Sequence, residues 1–216
     1  MSTKTNKKLK NSSKKKPSIV ADFFFVFLLA MLLILVLHVS GRHMNNPLAI
    51  IVLIITVVPT VMAMINGAPF VPTPIERVRH MLKLAKIKPG NRVYDIGCGD
   101  GRIVYLAANE HGAKATGFEL SPLVYLLAII RKFFWKSQAD IKFRNFKSEN
   151  ISDADIVFCY LLPDCLKSIK DNLLSQLKPG AKIVSYAFEV PEWELIHKEE
   201  KDPSQNFAPI WIYQKN

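Results

Sequence analysis

A chain of 216 residues has room for one catalytic domain and a tail, and little more. Half of its residues are hydrophobic and its mean hydropathy is +0.15, high for a chain that also carries 29 Lys and Arg side chains, so apolar and charged residues must be segregated along it. Three cysteines, Cys98, Cys159 and Cys165, form no CxxC pair, which argues against a disulfide framework and a zinc site and fits a reducing compartment.

The net charge of +11 gathers at the start, where residues 1–16 hold seven lysines and no acid. The basic tail, residues 1–18, has no interleaved aromatics and runs straight into an apolar stretch. It therefore reads as a topogenic, lipid-facing segment, and nucleic acid is not expected as a partner. Residues 23–37 contain no polar side chain, and the run extends over about 19–39, enough helix to cross a bilayer. A second apolar run covers about 47–65, with Pro59 inside it, which a membrane helix tolerates. So short a connection makes the pair, residues 19–66, a helical hairpin. Lysines before it and Arg77, Arg79, Lys83, Lys86 and Lys88 after it place both ends inside. The expectation is a cell-membrane protein with two spans, its N-terminus and main domain cytoplasmic. A cleaved signal peptide fits less well, because no Ala-x-Ala-like site is present and a second span follows.

Residues 67–74 are a Pro-rich linker. The domain, residues 75–216, opens with a helix from Ile75, for which Thr73 is the expected N-cap, Pro74 the first helical residue and Glu76 the capping-box partner. Strands and helices then alternate: strand Arg92–Ile96, helix Gly101–Asn109, strand Ala115–Leu120, helix Leu123–Trp135, strands Ile141–Phe146 and Ile156–Leu161, helix Cys165–Leu177, strand Lys182–Phe188. Two last strands, near Glu194–Lys198 and Ile210–Tyr213, pair as an antiparallel hairpin. The fold class is α/β, a Rossmann-like parallel sheet with a terminal antiparallel β-hairpin, preceded by a two-helix transmembrane hairpin.

The chemistry gathers at the end of the first strand, in Asp95-Ile96-Gly97-Cys98-Gly99-Asp100-Gly101-Arg102. Glycines after a strand and before a helix let a ligand approach the backbone, so side chains at Gly97 or Gly99 would enter ligand space. The pattern is not a dinucleotide fingerprint, whose sixth residue is glycine; here it is Arg102, and Asp95 would repel a pyrophosphate. A ligand with an ammonium group would suit Asp95. Glu119, 24 residues on at the end of the second strand, can accept hydrogen bonds from a ribose diol.

This combination resembles motif I and the following acidic residue of class I methyltransferases. With Pro69-Phe70-Val71-Pro72-Thr73-Pro74, Gly117-Phe118-Glu119-Leu120, Ser185-Tyr186-Ala187-Phe188-Glu189-Val190-Pro191-Glu192-Trp193 and Ile210-Trp211-Ile212-Tyr213, it resembles the small family of membrane-anchored protein-lysine methyltransferases of mitochondria and their prokaryotic relatives. The resemblance covers about residues 68–216. The mitochondrial members have one membrane segment where this chain has two, and act on lysines of inner-membrane proteins. The resemblance implies S-adenosylmethionine as cofactor, with Asp95, Gly97, Cys98, Gly99, Asp100 and Gly101 shaping its site and Glu119 on the ribose. The adenine contact is expected after the third strand, at Ser148 or Glu149, because Lys147 stands where relatives often have Asp.

Methyl transfer needs no metal and no nucleophilic triad, and none is evident. The acceptor should sit beyond the fourth strand, in Cys159-Tyr160-Leu161-Leu162-Pro163, which departs from the Asp/Asn-Pro-Pro-Tyr of many amino-directed methyltransferases. Tyr160 is the candidate catalytic residue, orienting an amine, or it is core. Phe70 either caps the cofactor or packs on the domain. No inserted lid is visible, so an open site suits a macromolecular acceptor. The expected function is methylation of lysine on a membrane-associated protein, with the lipid bilayer as a second partner. The alternatives are a lipid or quinone headgroup methyltransferase and a non-catalytic SAM-binding membrane protein.

Overall fold

The computed structural model describes residues 69–190, 192–201 and 207–216, together with Ile54 and Val58. The chain divides into two compact units, residues 1–43 and 44–216, and every described residue belongs to the second. The basic tail and the two expected spans lie outside the described residues, except that Ile54 and Val58 are helical and exposed. Among the described residues, no helix is long and apolar enough to cross a membrane.

Helix α1 spans Ile75–Ala85 and buries Val78, Met81, Leu82 and Ala85 on one stripe. Its start differs from expectation. Pro74 has ψ 140, an extended value, and so is the cap, not the first helical residue; no side chain caps the helix. Thr73 is one residue too early to reach the first amides. Its own carbonyl oxygen instead accepts a hydrogen bond from the Arg102 guanidinium.

Strands β1 (Arg92–Ile96), β2 (Lys114–Glu119), β3 (Asp140–Phe143), β4 (Ile156–Cys159), β5 (Lys182–Tyr186), β6 (Leu195–Glu199) and β7 (Ile210–Gln214) form one sheet. The order is β3-β2-β1-β4-β5-β7-β6, parallel through β5 and antiparallel at β7 and β6. The terminal hairpin is therefore present, and β7 is the strand that joins it to β5. β4 is buried at every position and reads as a continuous apolar run, as expected of a strand covered on both faces.

One face carries α1, α2 (Arg102–His111) and α3 (Pro122–Trp135), whose Val104, Tyr105 and Ala128 pack with Val93, Ile156, Phe158 and Val184. The other carries α4 (Pro163–Gln176), whose Leu166, Ile169 and Leu173 pack with Val157, Ile183 and Trp211. Ile156 and Phe158 point to the first face and Val157 and Cys159 to the second, the two-residue period of a strand.

Three strand ends fall two or more residues short of expectation. β3 stops at Phe143, because Asn145 caps a short 3₁₀ turn at Phe146–Ser148 by accepting from the Lys147 amide. β4 stops at Cys159, since Pro163 starts α4 two residues earlier than expected. β5 stops at Tyr186, because Ala187 takes a left-handed φ of 69°.

Candidate functional site

The carboxyl ends of β1, β2 and β4 meet at the glycine loop. Cys98 and Gly97 both direct their amides to the Phe118 carbonyl, at 2.9 and 3.0 Å, which bends the chain off β1. Gly101 turns back on Cys98 through its amide at 3.0 Å and caps α2 with φ 80°. The space left by the missing Cβ atoms is filled by protein. At Gly97 an added Cβ would meet Leu161 at 3.1 Å, and at Gly99 it would lie 2.8 Å from the Phe70 ring. The glycines let Leu161 and Phe70 close on the loop. Phe70, half-buried, packs on the domain at this loop.

Asp95 is 2% exposed, at the end of β1. Burial pushes its carboxyl well above the usual range, and the neighbouring acids Glu119 and Asp100 push the same way. Among the described residues no hydrogen bond reaches it. An acid so placed is costly to ionise until a cation arrives.

Glu119 is held by three amides. Leu120 and Ser121 donate to Oε1 at 2.9 and 2.7 Å, and Gly99 donates to Oε2 at 3.0 Å. Burial raises its carboxyl and these amides oppose the rise. A carboxylate offers about four acceptor sites, so Oε2 is the freer oxygen for a ligand hydroxyl. The same bonds fix the loop against β2, so Glu119 and the glycine turn are held together.

Asp100 is occupied otherwise. Its carboxylate, 2% exposed, pairs with Arg102 and, at 3.0 Å, with Arg131. It ties α2 to α3 beneath the loop. Cys98 likewise turns its side chain inward; a Cβ on Gly117 would lie 2.7 Å from its Sγ. Burial raises its thiol well above the usual range, so it stays protonated. Ser148 and Glu149 sit in the turn after β3, where the Ser148 hydroxyl donates to the Asn145 carbonyl at 2.9 Å.

Tyr160 follows β4 directly, half-buried, with its ring edge-on to Tyr186 at 5.0 Å and tilted to Phe188 at 6.3 Å. Burial raises its phenol, and Tyr186 adds to this. It is therefore a neutral hydrogen-bonding group at neutral pH. Sequence reasoning missed the aromatic pair Tyr186 and Phe188, because the alternation along β5 reads as ordinary core. Behind them, buried Arg77 of α1 donates to Glu199 of β6 and, at 2.7 Å, to the Ala208 carbonyl, with its guanidinium 5.8 Å from the Tyr186 ring centre. His80 meets the same Glu199 at 2.5 Å. This clamp fixes the terminal hairpin to α1 beside Tyr186. Among the described residues no cluster of His, Cys, Asp and Glu could hold a metal.

A family model described as the ANTKMT methyltransferase domain matches residues 95–197. Over 135 residues the chain is 39% identical to a protein-lysine N-methyltransferase of Saccharolobus islandicus, covering 61% of this chain and 84% of that protein. The chain belongs to the protein-lysine N-methyltransferase family. It is an S-adenosylmethionine-dependent methyltransferase. It is also 33% identical over 131 residues to the adenine nucleotide translocase lysine N-methyltransferase of Mus musculus, covering 58% of this chain and 56% of that one. The chain thus spans a little over half the length of that mouse relative. A crystal structure of an RNA methyltransferase from Salinibacter ruber with S-adenosyl-L-homocysteine superposes with a TM-score of 0.62 at 31% identity, over 67% of this chain and 93% of that one.

The residues present in this methyltransferase fit its cofactor. A buried carboxylate with no hydrogen-bond partner among the described residues matches a cationic amino-acid moiety, and an amide-oriented Glu119 matches a ribose hydroxyl.

Proposed function

We propose that the protein N-methylates a lysine of a membrane-associated protein, anchored by the apolar runs at about 19–39 and 47–65 with its domain on the cytoplasmic side. The observation that carries the lysine reading is the 39% identity to a protein-lysine N-methyltransferase, over 84% of that protein. Tyr160 supports it: a neutral phenol among Tyr186 and Phe188 suits an uncharged amine. Two groups of relatives are named for acceptors in the adenine nucleotide translocase and in ATP synthase, and the sequence of this chain carries its own apolar runs.

S-adenosylmethionine supplies an electrophilic methyl group together with its leaving group. The protein does the rest. Asp95 and Glu119, with the loop from Gly97 to Gly101, hold and orient the cofactor. Ser148 or Glu149 contacts the adenine. Tyr160, Tyr186 and Phe188 surround the approach of the amine. In such a low-polarity setting a lysine ammonium gives up its proton to solvent more readily, because burial disfavours the charged form. The Tyr160 hydroxyl then accepts a hydrogen bond from the neutral amine and aims its lone pair.

The test is transfer of labelled methyl from S-adenosylmethionine into membranes of cells lacking the protein, with the full chain added back. Label in protein, resolved by peptide mass spectrometry to a lysine, supports the proposal. Label extracted with lipids or quinones, or into RNA, overturns it.

A further inference from the structure

Helix α3 is apolar on the side that faces solvent. Its buried contacts are made by Val124 and Ala128, and by Trp135 edge-on to Tyr105 at 6.1 Å. The Tyr105 hydroxyl fastens the helix by donating to the Ala128 carbonyl at 2.6 Å. On the opposite side stand Leu123, Leu126, Ile129, Ile130, Phe133 and Phe134, all exposed, with Phe133 at 79% and Phe134 at 74%. At 100° per residue these six fall on one continuous outer stripe. A surface helix of a globular protein carries charged and polar residues there. Phe143 on the edge strand β3, 47% exposed, extends the patch.

The charge around the stripe has one sign. Residues 120–139 contain no acid, and residues 120–145 contain one, Asp140. Lys132, Lys136, Lys142 and Arg144 lie in the same stretch, on the helix and on the adjacent edge strand and its exit. Arg131 turns away, to Asp100, and Lys142 lies over the Phe118 ring on the α4 face of the sheet, so Lys132 and Lys136 are the cations that border the stripe on the helix itself. Bulky apolar groups flanked by lysines are the composition of a helix that lies in the plane of a membrane, apolar side chains among the acyl chains and ammonium groups among anionic headgroups.

We infer that the outer face of α3 is a docking surface for an anionic lipid bilayer. Ser121, the N-cap of the helix, follows Glu119 by two residues, so one end of the docked stripe adjoins the cofactor site. Docking holds the carboxyl edge of the sheet beside the membrane surface, where a lysine at the margin of a membrane protein is presented. Every residue of this surface is described, and docking through it does not require the spans.

The test places an environment-sensitive fluorophore on Phe133→Cys of the full chain, and on Ser175→Cys of α4 as a control on the other face of the sheet. Native cysteines Cys98, Cys159 and Cys165 are buried and do not compete for label. The protein is reconstituted in phosphatidylcholine vesicles with or without phosphatidylglycerol, and spin-labelled lipids serve as quenchers. The expected result is a blue shift and quenching at position 133 in anionic vesicles, less in neutral ones, none at position 175, and loss of the anionic advantage in Lys132→Gln/Lys136→Gln. Position 133 quenched no more than position 175 overturns the inference. So does a blue shift without lipid quenching, which would mean that a second copy or the chain's own apolar runs cover the stripe. Alkaline extraction of the same vesicles separates this from the anchoring proposal. Chain that extracts, yet is quenched at position 133 before extraction, supports docking without spans. Chain that resists extraction yet shows no quenching supports the spans and overturns docking.

Discussion

Gly99 and Gly101 differ in what surrounds them, and alanine at each separates loop packing from ligand binding. Both are left-handed, with φ 57° and 80°, so alanine at either costs about 1–2 kcal/mol of backbone strain. At Gly101 the new Cβ would lie 2.5 Å from the Tyr105 ring. Tyr105 is fully buried and its hydroxyl is bonded to Ala128 at 2.6 Å, so the ring has nowhere to go. Overpacking adds about 1–3 kcal/mol, giving a total of about 2–5 kcal/mol. At Gly99 the Cβ would meet the Phe70 ring at 2.8 Å, but Phe70 is a half-buried linker residue that can swing away. The cost there is the strain alone, about 1–2 kcal/mol. For a chain of this size each kcal/mol moves Tm by about 2–4 °C. Thermal unfolding of the full chain in detergent should therefore show Gly101→Ala clearly below Gly99→Ala. Calorimetric titration of S-adenosylhomocysteine should show weakened binding in Gly99→Ala despite its higher Tm. In a Phe70→Ala background the Gly99→Ala change should weaken binding less, since the two side chains no longer collide. Equal Tm losses at the two glycines, or no coupling with Phe70, would refute the packing argument.

Asp95→Asn should bind S-adenosylhomocysteine about 10- to 150-fold more weakly, the loss of one charge-assisted contact worth about 1.5–3 kcal/mol. Because the folded protein holds the Asp95 proton more tightly than the unfolded chain does, its stabilising contribution is present below the unfolded value and is lost as pH rises through the folded one. The free Asn variant should thus gain Tm over wild type as pH rises and lose that advantage in acid, in parallel melts. Tyr160→Phe should leave Tm and cofactor affinity unchanged and lower kcat about 10- to 100-fold if the hydroxyl aims the amine, read from labelled-methyl turnover; an unchanged kcat would assign Tyr160 to packing. Burial works against the Glu199 carboxylate, but hydrogen bonds from His80 and Arg77 hold it below the usual range. Glu199→Gln should cost about 1–2 kcal/mol at neutral pH and progressively less as pH falls through the folded value of Glu199, measured by urea unfolding across pH.

The sheet and its order of elements were legible because short apolar runs and apolar helical stripes take turns along the domain, and because Pro and Gly mark the turns at Lys88-Pro89-Gly90 and Lys178-Pro179-Gly180. The site was legible where residue type follows from local backbone need: Asp95 at a strand end, then the glycine turn. It was less legible where a contact joins distant elements. Nothing near Asp100 in sequence announces Arg131 of α3, so the tie its carboxylate makes between two helices does not show in the motif. The Thr73 cap failed for a related reason. The local pattern fits a capping box, yet Pro74 stays extended and the Thr73 carbonyl is drawn to Arg102, a partner 29 residues away.

Those long-range ties have a common direction. Arg102 joins Asp100 to the Thr73 carbonyl, Arg131 joins Asp100 to α3, and Glu119 joins the glycine loop to the start of α3 through the Ser121 amide. The linker bearing Phe70, the cofactor loop and the apolar helix are thus connected by hydrogen bonds that converge within a few residues of Asp95 and Glu119. Movement of the linker would be felt at the loop through Phe70 and through Arg102. A site built this way is sensitive to how its domain is held. Cofactor affinity of the full chain should then respond to Phe70→Ala even though Phe70 carries no charge and its side chain donates no hydrogen bond. A domain that bound its cofactor independently of the linker would show the same affinity in both.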